Sequence, residues 1–228
     1  ISNTAYFIVA MYIFMSMAAT FYFGGYFINT SIDMASFFYF QPQILLIVIP
    51  TIAMRTWSEE KKNGTFEVAL AYPVSYQTLV LSKFFACYKL SISMILLTTP
   101  LWIFSAYSLN IDNYSVFWGY IGCLFAAGMF CALSCFISST NSSSIVTYIL
   151  SVLVLWIITN ADFNFIVKPL EYISGSLYAS AQGALTFNHP FDSFYAAQIS
   201  FDNVLYFILF TAFAFFLNKL HFVVRKAN

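Results

Sequence analysis

The chain has 228 residues, of which 61% are hydrophobic and only 8% are charged. Soluble domains carry about 25% charged residues because their surfaces must be solvated. The composition therefore excludes an ordinary soluble domain and predicts an integral membrane protein. Nine basic and nine acidic residues give a formal net charge of zero, so no excess of positive charge indicates binding to nucleic acid.

Uncharged stretches indicate where the chain crosses the bilayer, because a helix needs about 20 apolar residues to span it. The stretch 113–161 has no charged residue, and as one helix it would be roughly 73 Å long, more than twice the membrane thickness. It must fold back, and the polar sequence SSTNSSS at 138–144 is the obvious turn. The sequence predicts an all-α fold, one transmembrane domain over 1–228, with six spans at about 4–29, 40–57, 77–107, 115–137, 143–160 and 201–224.

Basic residues predict the orientation, since they favour the cytoplasmic side of short loops. Seven of them lie at or near one face if the first span runs outward: Arg55, Lys61, Lys62, Lys83, Lys219, Arg225 and Lys226. Only Lys168 lies clearly on the other side, and Lys89 can extend back to the inner interface. We therefore expect both termini in the cytoplasm, with the bacterial inner membrane as the location. The start of the sequence lacks an initiator Met, so we expect residues upstream, and its apolar run is too long for a signal peptide.

The segment RTWSEEKKNGTFEVALAYPVS, residues 55–75, is unusually polar for this chain. By the predicted orientation it contains a cytoplasmic loop, 58–74, between the second and third spans. Gly64 interrupts what precedes it, Thr65 is a candidate N-cap, and residues 66–71 are compatible with a short helix that Pro73 ends. A simple solvated turn is the alternative that composition alone favours.

The order of residues in this segment resembles the loop of type-2 ATP-binding-cassette (ABC) permeases, in particular the gliding-motility-like subgroup. The matching positions are Met54, Arg55, Glu59, Glu60, Gly64, Thr65, Glu67, Pro73, Val74, Ser75, Lys83 and Phe84. Ser82 stands where the family usually has glycine, which bears on packing at the start of the third span. A weaker resemblance extends over all six spans.

This resemblance implies the transmembrane subunit of an ABC exporter, with 58–74 as a cytoplasmic coupling helix that docks on the ATPase. The implied docking residues are Arg55, Glu59, Glu60, Gly64, Thr65, Phe66, Glu67, Pro73 and Val74. The expected partners are an ABC ATPase subunit, a second permease copy or a related permease, and the lipid bilayer. The sequence has no phosphate-binding loop of the form GxxxxGK(S/T), so we expect no catalytic residue or cofactor in this chain, with ATP and Mg bound by the ATPase.

Other residues carry weaker signals. The cysteines Cys87, Cys123, Cys131 and Cys135 fall in predicted spans without a metal-binding motif, so packing is favoured over a metal or redox site. Gly119, Gly122 and Ala126 have helical spacing and predict close helix packing, either within one subunit or at a dimer seam. The external segment 161–200 includes an amphipathic helix beginning at Pro190, predicted to be interfacial or re-entrant before the sixth span.

The rival hypothesis is a channel or secondary carrier without an ATPase. Such proteins usually hold ionisable residues in the middle of the membrane, where this chain has almost none. An intramembrane enzyme has no motif in its favour.

Overall fold

The computed structural model describes residues 3–24, 34–65, 75–108, 111–160 and 186–227, and within these ranges it is helical and has no strand. The described α-helices are α1 Asn3–Ala18, α2 Ala35–Lys62, α3 Tyr76–Leu96, α4 Thr99–Ser108, α5 Asn113–Thr140, α6 Ser144–Asn160, α7 Asn188–Tyr195 and α8 Phe201–Ala227. A π-helical segment, Ala19–Phe23, continues α1.

The helices have the length and composition of membrane spans. Five described stretches are long and apolar enough to cross a bilayer: Asn3–Phe23, Ala35–Lys62, Gln77–Tyr107, Asn113–Thr140 and Phe201–Phe222. The apolar helix α6 has 17 residues and is roughly 25 Å long, slightly less than the hydrocarbon thickness. The prediction of an all-α polytopic membrane protein is confirmed for the described residues, with five to six spans.

Helix α5 lies at the centre of the bundle, where it packs against α2, α3, α6, α7 and α8. Its buried side is rich in small residues, among them Gly119, Gly122 and Ala126. Small side chains let neighbouring helices approach closely, and here the space beside Gly119 is filled by the ring of Phe38. These small residues therefore pack within one subunit, the first of the two alternatives that their spacing indicated.

The outward surfaces of α6 and α8 are apolar. Leu153 and Trp156 of α6 are exposed, as are Phe213 and Phe216 of α8. An apolar side chain on the outside of a bundle suits a lipid environment, in which no water is present to solvate polar groups. These two helices therefore present lipid-compatible faces around α5.

Helix α2 is longer at both ends than the predicted span 40–57. It begins at Ala35 and continues to Lys62, although Pro42 and Pro50 lie inside it. Residues 58–62 were predicted to be loop, but they form the end of α2. Lys61 and Lys62 lie in its last turn, where a positive charge interacts favourably with the negative end of the helix dipole. Of the first predicted span, residues 25–29 lie outside the described residues.

The third predicted span, 77–107, is interrupted instead of being one continuous helix. Helix α3 ends at Leu96, and α4 begins at Thr99. Pro100 lacks an amide hydrogen, and in a continuous helix its ring would clash with the carbonyl of Leu96. The hydroxyl of Thr99 donates to that carbonyl at 2.8 Å, and the hydroxyl of Thr98 donates to the carbonyl of Ile95 at 2.6 Å. Side-chain hydroxyls thus satisfy carbonyl groups at the break.

The aromatic face of the short helix α7 packs into the bundle, while its interfacial or re-entrant placement in the membrane stays a prediction. Phe191 and Phe194 are buried, and the Phe194 ring lies 5.7 Å from that of Phe125 in α5 and 5.9 Å from that of Phe207 in α8. The helix runs from Asn188 to Tyr195, so it begins two residues before the predicted start at Pro190. Residues 161–185 of the predicted external segment, including Lys168, lie outside the described residues.

One end of the bundle is defined here as the basic end. The C-terminal ends of α2 and α5 meet the N-terminal ends of α3 and α6 there, and Lys61, Lys62 and Lys83 lie among them. The C-terminal part of α8 reaches the same place, because the ring of Phe222 lies 5.2 Å from that of Trp57. The segment 55–75, which resembles the permease loop, therefore begins where several helix ends meet.

Candidate functional site

The end of α2 is set by Asn63 and Gly64. The amide of Asn63 donates to the carbonyl of Glu59 at 2.9 Å, and that of Gly64 donates to the carbonyl of Lys61 at 3.3 Å. Gly64 has a φ of +71°, a left-handed conformation that glycine adopts without steric cost and that commonly ends helices. The chain therefore leaves α2 sharply at Gly64, and the hydroxyl of Thr65 donates back to the carbonyl of Glu60 at 3.3 Å.

Glu60 forms an ion pair inside the chain. Its Oε1 atom accepts a hydrogen bond from Nζ of Lys83 in α3, and the same ammonium lies 5.4 Å from the ring centroid of Trp57. Trp57 is fully buried and packs with Val80 and Phe222. The Glu60–Lys83 pair therefore connects α2 to α3 beside the apolar cluster of Trp57, Val80 and Phe222.

A second set of contacts, here called the polar joint, connects α2 to the turn between α5 and α6. Its residues are Ser58 and Lys61 of α2, Ser138 and Ser139 of α5, and Ser144 of α6. The hydroxyl oxygens of Ser58 and Ser144 lie 2.9 Å apart, and Nζ of Lys61 donates to the carbonyl of Ser139. Ser138 accepts a hydrogen bond of 3.1 Å from the backbone amide of Trp57.

The exposed side of the α2 end carries a different pair. Nε of Arg55 lies 3.3 Å from Oε1 of Glu59, one helical turn away, and both side chains are about half exposed. An exposed ion pair of this spacing contributes only about 0.3–0.5 kcal/mol to stability. Arg55 and Glu59 are thus available to other charged groups, unlike Glu60.

Nearly the whole chain matches the model of a protein family. The model of the ABC-2 family transporter proteins covers residues 4–220, which includes α1 to α7 and most of α8. The chain belongs to the ABC-2 transporter family. Among curated proteins, none matches it. Membership implies the transmembrane subunit of an ABC transporter that associates with an ABC ATPase in a membrane, while the gliding-motility-like subgroup stays a prediction.

The structure separates the predicted docking residues of this ABC-2 permease into three groups. Arg55, Glu59, Gly64 and Thr65 are exposed at the basic end. Glu60 is half-buried and engaged with Lys83, a contact that the sequence motif did not reveal. The other predicted docking residues lie outside the described residues: Phe66, Glu67, Pro73 and Val74.

Sequence reasoning missed the serines of the polar joint. SSTNSSS at 138–144 was interpreted only as a turn, whereas α5 continues through Ser138 and Ser139 to Thr140. The density of hydroxyl groups was the available signal, since serine hydroxyls readily bond to nearby backbone groups. Ser82, at the position where the family usually has glycine, is exposed, and its hydroxyl donates to the carbonyl of Leu79 at 2.8 Å.

The cysteines of the permease are free and buried. Sγ of Cys87 lies 3.3 Å from Sγ of Cys131, and the hydroxyl oxygen of Ser91 lies 3.3 Å from the same Cys131 sulfur. Within the described ranges, no three His, Cys, Asp or Glu residues come together in a way that would hold a metal ion. Packing between α3 and α5 accounts for the positions of Cys87 and Cys131.

Proposed function

We propose that this ABC-2 permease exports a substrate by coupling its own reorientation to ATP hydrolysis in a separate ATPase subunit. The observation that carries the proposal is the exposed, charged end of α2, where Arg55, Glu59, Gly64 and Thr65 lead into the rest of the motif. A charged surface of this kind selects a partner and sets its register more than it adds affinity.

The basic end is the cytoplasmic end in this proposal. Arg55, Lys61, Lys62 and Lys83 lie there, and Lys219 of α8 lines a groove of about 270 Å³ with Gln77 of α3 at the same end. Positive residues favour the cytoplasmic side of a membrane. The proposed location is the bacterial inner membrane with both termini in the cytoplasm.

The mechanism assigns a role to segment 58–74. The partner ATPases bind ATP and Mg and close, segment 58–74 moves with them, and the spans reorient to release substrate outward. A ligand shifts such an equilibrium only by its different affinity for the two states, so the ATPases must hold the segment more tightly in one state. Phe66, Glu67, Pro73 and Val74 complete the docking surface.

The functional unit in this proposal contains two permease subunits. Within the described residues, the spans pack around α5 and side chains fill the centre, which leaves little room there for a sizeable substrate. A path between two subunits, either two copies or this chain with a related permease, provides the missing space.

Co-purification tests the proposal. The permease is isolated in mild detergent with its bound proteins, and ATP hydrolysis is measured. We expect an ABC ATPase to co-purify with the wild-type permease. Changing Glu59, which is exposed in the proposed docking surface, to Lys should weaken or abolish its binding. The control is Asp112→Lys, an exposed acidic residue at the opposite end of the bundle, which should retain the ATPase. If no ATPase accompanies the wild-type chain, the channel or carrier hypothesis replaces this one.

A further inference from the structure

We infer that Lys61 and Ser138 transmit the movement of segment 58–74 to the central helix α5. The inference rests on the proposed function and deepens it, because it specifies which helix the segment drives. Lys61 and Ser138 are positioning residues here, since neither needs to touch the ATPase or the substrate.

Ser138 binds α2 at a buried site. Its side chain is fully buried, and its hydroxyl oxygen lies 3.1 Å from the amide of Trp57, 3.3 Å from the hydroxyl of Thr56 and 3.4 Å from the carbonyl of Met54. A hydrogen bond between buried groups resists separation, because separation leaves desolvated polar groups unpaired. The end of α2 and the end of α5 are therefore expected to move together.

Lys61 binds the end of α5 by charge. The last carbonyl groups of a helix have no partner within the helix and form the negative end of its dipole. Ser139 is next to the last residue of α5, and its carbonyl accepts the hydrogen bond from Nζ of Lys61. Lys61 lies in the last turn of α2, three residues before Gly64, where the chain turns away from the helix. A cation at the start of the coupling segment thus holds the terminus of the central helix.

The alternative route runs through α3. The segment continues into α3 after Ser75, and the Glu60–Lys83 pair also connects α2 to α3, but the two side chains are 28% and 27% exposed. Partly exposed pairs are weakened by water and salt. In the polar joint Ser58, Ser138 and Ser139 are fully buried, and α5 packs against α2, α3, α6, α7 and α8. A shift of α5 would therefore reach most of the bundle.

Two distances between spin labels, measured by double electron–electron resonance in the complex of permease and ATPase, test the inference. One pair of labels is placed at Asn63 and Ser142, both exposed at the basic end, and reports on the joint. The second is placed at Tyr114 and Phe201, both exposed at the opposite end, and reports on α5 relative to α8. Spectra are compared without nucleotide and with ATP and vanadate, after dilution with unlabelled permease.

We expect the Asn63–Ser142 distance to stay constant between the two conditions while the Tyr114–Phe201 distance shifts. Lys61→Met and Ser138→Ala should reduce the shifted population by about fivefold or more, the lower range of typical coupling between sites, with the ATPase still bound. Lys61→Arg preserves the charge and should restore the shift. Lys62→Met, which alters the exposed neighbouring lysine, is the matched control and should behave as wild type.

Three outcomes would overturn the inference. A nucleotide-dependent change of the Asn63–Ser142 distance in wild type means that the segment moves independently of α5. A normal Tyr114–Phe201 shift in both Lys61→Met and Ser138→Ala means that the joint is not the route. Absence of a bound ATPase from the wild-type complex rejects the proposed function itself, and the inference with it; that failure is recognised by the missing subunit and not by a distance.

Discussion

Gly122 of α5 lies so close to Phe194 of α7 that a Cβ atom added to the glycine would be 2.7 Å from the Cβ of the phenylalanine. That atom is attached to the backbone and has little freedom to move. Gly122→Ala should therefore push α7 away from α5 and destabilise the permease by about 1–3 kcal/mol, the usual cost of overpacking. Thermal unfolding in detergent measures the loss.

Gly128 of the same helix provides the control for this prediction. A Cβ added there would have its nearest neighbour at 3.5 Å, in the ring of Tyr88, which is an ordinary contact distance. Gly128→Ala should leave the melting temperature unchanged or raise it, because alanine favours helix over glycine. Equal losses from both variants would mean that α7 does not pack closely on α5.

A charge exchange tests the Glu60–Lys83 pair. Glu60→Lys places two ammonium groups together and should lower stability at the basic end, by up to about 1 kcal/mol since the side chains are partly exposed. Adding Lys83→Glu should recover most of that loss by restoring an opposite-charge pair. The measurement is the melting temperature of the two single variants and the double variant. If a charge change on the ATPase rescues Glu60→Lys and Lys83→Glu does not, Glu60 belongs to the docking surface.

Gly64 tests backbone geometry, because among the described residues nothing lies within 4 Å of an added Cβ and its φ is +71°. Gly64→Val should strain the backbone by about 1–3 kcal/mol and weaken ATPase binding while the spans still insert. Gly64→Asn is the control, since asparagine tolerates left-handed backbone. Membrane level and ATPase recovery in pull-downs are the readouts. Similar ATPase recovery from both variants would contradict a requirement for this turn.

Chemical labelling tests the proposed orientation. Cysteine placed at Asn63 should react with a membrane-impermeant maleimide only from the cytoplasmic side, and cysteine placed at Asn188 only from outside. Both positions are exposed, and the native cysteines are buried, so background labelling should be low. Reaction at Asn63 in intact cells would reverse the orientation.

Asp192 of α7 gives a pH-dependent prediction. Partial burial raises the pKa of this carboxyl above its usual range, although Tyr195 and His189 act in the opposite direction. Between the ordinary and the raised pKa, the folded state binds more protons than the unfolded state, so stability falls as pH rises through that window.

The measurement for Asp192 is the melting temperature from pH 3.5 to 6. Asp192→Asn should remove its contribution to the decline. Asp112 is exposed and should make stability depend on pH in the opposite direction, because hydrogen bonds from Ser115 and the amide of Tyr114 lower the pKa of its carboxyl. Its contribution is present above the ordinary pKa and is lost as pH falls through the lowered value. Identical pH profiles for wild type and Asp192→Asn would contradict the raised pKa.

The fold class could be predicted because the bilayer imposes length and polarity on every span. Helix ends were harder to predict where they depend on tertiary contacts. Residues 58–62 are polar enough for a loop, yet they continue α2, where Ser58 and Lys61 find partners in α5 and α6. The break before Thr99 was foreseeable from Pro100, whereas burial of Phe191 depends on contacts distant in sequence.

The candidate site likewise contains residues that the sequence could predict and contacts that it could not. Gly64 follows from local chemistry, and Arg55 and Glu59 were indicated by the motif. The partners of Glu60 and Lys61 were not predictable, because Lys83 and Ser139 are 23 and 78 residues away in the sequence. A sequence motif shows which side chains lie close together in the sequence. Tertiary packing decides whether each of them contacts a partner protein or its own chain.

The central position of α5 has a consequence for how the protein is made. Part of the surface around this helix is supplied by α7 and α8, through Phe194 and Phe207 against Phe125. Both helices follow α5 in the chain, so these contacts form only after α8 has left the ribosome. Until then the side of α5 around Gly122 and Phe125 is without these contacts, whereas Gly119 can already pack against Phe38 of α2.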